Sequence, residues 1–223
     1  MHIEPGIVDA AKMGLAVVTA TGAAAYTAKL CWTQLKTRGP VGLIGGAVVS
    51  TAAVFIFFEL LPHFAVGVSE VHFILASTLF LMFGAAPAAL GLAGGLLIQS
   101  LFLSPTDLPM YAVNLTTLLV PLFALQALAQ KLIAPGTAYV DLKYSQTLAL
   151  SAAFQGGVVA WVAFWAFYGQ GFAATSGVLA FGSAYMVVVL IEPLADLAVL
   201  AAAKSLRDVT KGGIFTPRLH ATA

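Results

Sequence analysis

Roughly seven stretches of mainly apolar residues follow one another along this chain, each close to the ~20 residues that an α-helix needs to cross a bilayer. Only 9% of the 223 residues are charged, 61% are hydrophobic and the mean hydropathy is +0.98. No water-soluble surface can be assembled from this material, so the solvent is lipid. The sequence predicts an all-α, polytopic transmembrane bundle of about seven helices, forming one domain over residues 1–223.

Helices are expected at about 10–34, 41–62, 71–84, 86–103, 108–132, 145–168 and 177–204. The third is short for a full crossing, and Gly84 to Pro87 supplies the only turn before the fourth. That pair is expected as a partly re-entrant hairpin buried in protein.

Lysine and arginine set the orientation, because short cytoplasmic loops retain them. Outside the first helix they are Lys36, Arg38, Lys131, Lys143, Lys204, Arg207, Lys211 and Arg218. All fall in cytoplasmic segments if the amino terminus is outside, and the outer loops expected at about 63–70, 104–107 and 169–176 contain none. Residues 1–9 then form an extracytoplasmic tail over the outer mouth, and 205–223 a cytoplasmic tail. The opening Met-His-Ile-Glu-Pro-Gly lacks the basic front of a secretory signal, so it reads as retained sequence.

Several functions are excluded. A net charge of +1 gives no purchase on nucleic acid, and the single cysteine, Cys31, cannot form an internal disulfide. There is no H-E-x-x-H pair, no G-x-S-x-G elbow and no glycine loop ending in Gly-Lys-Ser or Gly-Lys-Thr. The chain is not expected to be an enzyme or to carry a cofactor, and energy for transport must come from a partner or an ion gradient.

Polar side chains at membrane depth are costly and are functional candidates by default. Alternating helix direction puts Glu59, His63, His72, Gln99 and Asn114 near one outer level. His2 adds metal chemistry. With a free amine on Met1, the amine nitrogen, the deprotonated His2 amide and the His2 imidazole can close two fused chelate rings on one ion. A fourth nitrogen, from His72 or His63, completes a planar set suited to nickel(II) or copper(II) and open to low-spin cobalt(II).

Glu59 and His63 stand four apart and form a rival site, although Pro62 interrupts the helix between them. Otherwise Glu59 orients an imidazole or balances charge, and His63 is interfacial or an outer partner. Gln99 and Asn114 serve either that site or interhelical hydrogen bonding. His220 lies in the tail, away from it. Lys29 is expected to pair with Glu192 or Asp196, which lie at similar depth. Ala16, Ala20, Ala24 and Ala28 make a ridge for the bundle's own core or for a partner subunit.

The opening Met1-His2-Ile3 with Gly6, the segment Ser69-Glu70-Val71-His72, the helix through Gln99 and the Val113-Asn114 segment together resemble the CbiM/NikM family. Its members are the substrate-specific membrane components of energy-coupling factor (ECF) transporters for cobalt and nickel. The resemblance covers nearly the whole chain. It implies metal binding by the Met1 amine, the His2 amide and imidazole and the His72 imidazole, with Asn114 in support. It also implies a bacterial inner-membrane location, a membrane coupling (T) component, two cytosolic ATPase subunits and a small accessory membrane subunit as partners. The sequence departs from the usual Ser-Gly-His, since Glu70 and Val71 separate Ser69 from His72. Cobalt is preferred over nickel on overall likeness alone. A stand-alone carrier or channel for the same metals, or a membrane sensor, is the competing reading.

Overall fold

A computed structural model describes residues 2–206. Met1, Arg207, Lys211, Arg218 and His220 lie outside the described residues, as does most of the expected cytoplasmic tail. Helix α1, Met13–Glu59, runs through Lys36 and Arg38 without a separate loop. Only Gly39 leaves helical geometry, at φ +74, and Pro40 follows it. Glycine enters that region without a Cβ clash, and proline lacks the N–H that a continuing helix uses. The helix therefore divides into arms 13–38 and 40–59, in place of the two helices and a loop that the apolar pattern predicts.

The expected helix over 71–84 is shortened at its start, and the outer loop expected at about 63–70 is largely strand. An antiparallel hairpin of β1, Phe64–Val66, and β2, Ser69–Val71, comes first, and only the short α2, Ala76–Phe83, is helical. Gly67, at φ +63, turns the two-residue loop, as a tight hairpin requires. The amino-terminal tail joins the hairpin's free edge: Ile3 bridges Ser69, the Glu4 N–H donates to the Val68 carbonyl at 3.1 Å, and the Glu70 N–H donates to the His2 carbonyl at 2.9 Å. Ile3 is fully buried and anchors it.

The entry to α2 is fixed from across the bundle by α6, Thr175–Ser205. Glu192 accepts hydrogen bonds from the Ile74 N–H at 2.8 Å and the Leu75 N–H at 2.7 Å, and from the Gln155 carboxamide. Asp196, one turn on, accepts from the Ser77 and Thr78 hydroxyls. These carboxylates satisfy the backbone N–H groups just ahead of the helix and two buried hydroxyls in its first turn. They also hold Leu75 at φ +52, a region that a branched side chain rarely adopts. The expected Lys29 ion pair is thereby corrected. Lys29 is exposed, with its ammonium 5.9 Å from the Tyr26 ring. Sequence depth gives height along a helix but not its rotation, and α1 turns Lys29 outward.

Three further helices complete the bundle: α3, Ala85–Phe102; α4, Tyr111–Leu132; and α5, Tyr144–Gln170. The second arm of α1 runs parallel to α3 at close range. A Cβ on Gly91 would come 2.2 Å from Ser50 Cβ, and one on Gly95 2.5 Å from Val54. Small residues permit such approach where lipid supplies no hydrophobic drive between helices. Thr116 of α4 accepts from Trp161 and Trp165 of α5, and Tyr185 of α6 donates to Gln155 of α5. The alanine ridge is only partly internal: Ala16 is buried, while Ala24 and Ala28 are exposed.

Four helical stretches, Met13–Glu59, Ala85–Phe102, Pro105–Leu132 and Tyr144–Ser205, are long and apolar enough to cross a membrane, and each can do so once or, where it bends, more than once. The chain is a multi-pass membrane protein. The hairpin, the end of α3 and the start of α4 lie at one end of the bundle. Gly39, the start of α3 and the α4–α5 connection lie at the other, and there Lys36, Arg38, Lys131, Lys143 and Lys204 gather.

Candidate metal centre

His2, Glu70 and His72 converge where the tail crosses the hairpin. Strand period puts Glu70 and His72, two residues apart, on one side of the chain, and the bridge between Ile3 and Ser69 brings His2 beside them. One ligand atom from each lies within 4.8 Å of the others. The His2 and His72 ring centroids are 5.9 Å apart, and the Phe58 ring stands 4.4 Å from that of His72 as an apolar wall. His2 and His72 are buried, whereas Glu70 is partly open to solvent.

Surrounding groups fix the tail and the His2 ring. The Ile3 N–H donates to Asn114 Oδ1 at 2.7 Å, and the Ser69 hydroxyl donates to the His2 carbonyl at 2.8 Å. His2 Nε2–H donates to Gln99 Oε1 at 2.6 Å. With the proton held on Nε2, a neutral His2 presents its lone pair on Nδ1. That is the nitrogen able to close a chelate ring with its own backbone amide. Asp107, in the turn Pro105–Met110, stands 3.3 Å from Nδ1 and pairs with the ring when it is protonated.

The mouth is acidic. Burial, followed by the neighbouring Glu70 and Asp107 carboxylates, raises the Glu4 carboxyl above its ordinary value, while His2 acts in the opposite sense. A cation arriving there relieves the repulsion among the carboxylates. Imidazole nitrogens with a carboxylate suit borderline divalent ions such as cobalt, nickel, copper and zinc.

Of the residues singled out in the sequence, His2, His72, Gln99 and Asn114 come together. Met1 lies outside the described residues. His63 is exposed, with Nδ1 3.2 Å from the Leu61 carbonyl, and neither His63 nor Glu59 is among the three grouped ligands. Sequence reasoning missed Glu70 as a potential ligand and Asp107 as a partner of His2. The two-residue spacing of Glu70 and His72 signals a shared face once 69–71 is read as a strand; nothing in the sequence points to Asp107.

Asn114→Ala is expected to weaken cobalt binding about 10–100-fold, since the tail loses its acceptor for Ile3, while His63→Ala leaves affinity unchanged; titration of purified protein checks both.

Fold and site together define a multi-pass membrane protein with a compact histidine–carboxylate cluster, suited to a transition-metal ion, at one end of its bundle. Residues 2–209 match the CbiM family, described as the cobalt uptake substrate-specific transmembrane region, and the chain belongs to that family. Its substrate, as the family's description gives it, is cobalt. Comparison with curated proteins and with solved structures gives no match.

Proposed function

We propose that this chain captures cobalt(II), in preference to nickel(II), at the outer face of a bacterial inner membrane and is the substrate-binding subunit of an ATP-driven ECF-type importer. The amino terminus lies outside in this reading, in keeping with the basic residues gathered at the far end of the bundle. Where the chain begins with a free Met1 amine, that amine, the His2 amide nitrogen, His2 Nδ1 and the His72 imidazole bind the ion. Glu70 lies close enough to balance its charge or add an oxygen ligand. The observation that carries this proposal is the grouping of His2, Glu70 and His72 within 4.8 Å, with Gln99 directing the His2 lone pair to Nδ1.

Gln99 and Asn114 act through the ligands, by orienting the ring and holding the tail. A membrane coupling component, two cytosolic ATPase subunits and a small accessory membrane subunit supply the energy and the inward movement. Radiolabelled cobalt uptake into proteoliposomes tests this. ATP-dependent uptake is expected only when coupling and ATPase subunits are reconstituted with the chain; equal uptake by the chain alone would make it a stand-alone carrier.

A further inference from the structure

Glu192 and Asp196 stand one turn apart on α6, both fully buried, in a stretch apolar enough to cross a membrane. Neither forms a salt bridge among the described residues. Lys204, about two turns further along the helix, donates instead to the Leu142 carbonyl. Two like charges this close at membrane depth, with no cation beside them, carry a heavy desolvation and repulsion cost. Such a pair takes up a cation, the smallest being a proton.

We propose that the Glu192–Asp196 pair binds a single proton, exchanged with the end of the bundle where the basic residues gather. The partners of the two groups put that proton on Asp196. Glu192 faces three N–H donors: the Ile74 and Leu75 backbone groups and the Gln155 carboxamide, whose oxygen accepts from the Tyr185 hydroxyl. An N–H group only donates, so these three favour the charged, accepting form of Glu192. Asp196 meets one such donor, the Thr78 N–H, and otherwise hydroxyls: those of Ser77 and Thr78 on α2, with Ser151 of α5 beside them. A hydroxyl donates or accepts as its hydrogen turns, so it serves a neutral carboxyl as well as a charged one. Direct hydrogen bonds on both Asp196 oxygens favour a proton over a metal ion, which would have to part them.

A proton on either Asp196 oxygen has the Ser77 or Thr78 hydroxyl to receive it, and that hydroxyl then turns its own hydrogen to a neighbour. Groups without a partner are at hand. Tyr139 lies against Thr78 and close to Asp196, and its hydroxyl is buried with no hydrogen-bond partner. Ser151 Oγ is likewise buried and without a partner, as is Thr147 Oγ1, one turn earlier on the same face of α5. Tyr139 belongs to the short turn Tyr139–Asp141 and Thr147 to the first turn of α5, both at the basic end. These hydroxyls form a trail from that end to Asp196. The titratable groups around Asp196 among the described residues are Glu192, Tyr139 and, through Gln155, Tyr185; α2 and α5 add hydroxyls and an amide, and Asp141 is exposed.

Infrared spectroscopy of the purified protein in detergent tests this, because the carbonyl stretch of a protonated carboxyl lies apart from that of a carboxylate. Spectra at neutral pH are compared for the parent, the parent carrying ¹³C in its aspartate or glutamate side-chain carboxyls, Asp196→Asn, Glu192→Gln and the control Asp141→Asn. The expected result is a protonated-carboxyl band in the parent and in Asp141→Asn, shifted by labelled aspartate and absent from Asp196→Asn. The melting temperature of the parent, taken relative to Asp196→Asn, is expected to fall as pH rises, because the folded pair binds a proton that the unfolded chain releases. A band shifted by labelled glutamate and lost in Glu192→Gln keeps the proton in the pair and moves it to Glu192. Absence of any band that either variant removes overturns the proposal. So does stabilisation by sodium chloride over choline chloride in the parent but not in Asp196→Asn, which makes the ligand a metal ion. Should Asp196→Asn fail to fold, the two labelled parents decide alone.

Discussion

Cobalt affinity is expected to fall at least about 100-fold when His72 is replaced by alanine, and by a similar factor for His2→Ala. The magnitude follows from four donors sharing an apparent binding free energy of about 10–16 kcal/mol, as in small structural metal sites, so that losing one removes about 3 kcal/mol. Neither change should unfold the bundle. Both side chains lie at the junction of tail and hairpin, and the tail keeps its backbone bonds to Val68 and Glu70 and the Ile3 bond to Asn114. Isothermal titration with cobalt, set beside thermal melting of the metal-free proteins, separates the effects: affinity collapses while the metal-free melting temperature shifts little. A large fall in metal-free melting would instead make the two histidines structural.

Glu192→Ala is expected to destabilise the protein by about 2–6 kcal/mol. It leaves the Ile74 and Leu75 N–H groups without acceptors, and each buried open donor costs about 1–3 kcal/mol. Leu75 also loses the bonds that hold its left-handed backbone. Because His72 lies two residues before Ile74, cobalt affinity should fall as well, although Glu192 is not one of the grouped ligands. Lys29→Met should change stability by less than about 0.5 kcal/mol, as befits an exposed side chain. Reversible unfolding in mixed micelles measures both. Matched large losses in the two variants would restore the Lys29 ion pair and contradict the structure.

The contrast between these two variants shows what the sequence conveys. Apolar runs of membrane-spanning length mark α3, α4, α5 and α6 closely, because length and composition alone decide whether a segment crosses lipid. The joining of the two arms in α1 was hidden, since no residue before Gly39 stops a helix and charged side chains such as Lys36 and Arg38 do not. The hairpin 64–71 falls on the outer loop expected at about 63–70 and the first residue of the next helix, and two strands of three residues are too short to show an alternating pattern. What limits α2 to its short span is Glu192, 118 residues from Ile74, a contact that no local pattern encodes.

The candidate centre divides in the same way. His2 and His72 stood out because histidine is rare in this chain and metal chemistry needs it. Gln99 and Asn114 stood out as amides at membrane depth, but their tasks follow only from geometry, one holding Nε2–H of His2 and the other the Ile3 N–H. Glu70 looked like an interruption between Ser69 and His72 until strand pairing placed it beside both histidines. Asp107 reaches His2 because the turn after α3 folds over the tail, and its spacing from every other candidate is uninformative.

The most direct test of metal capture at the amino terminus is equilibrium dialysis of cobalt against protein carrying a native, untagged start, compared with the same protein bearing one extra residue before Met1. One tightly held ion per chain is expected in the first case and loss of tight binding in the second, since an added residue converts the terminal amine into an amide and displaces the chelate. Tight one-to-one binding that survives the extension would contradict it and assign the ion to His2, Glu70 and His72 without the amine.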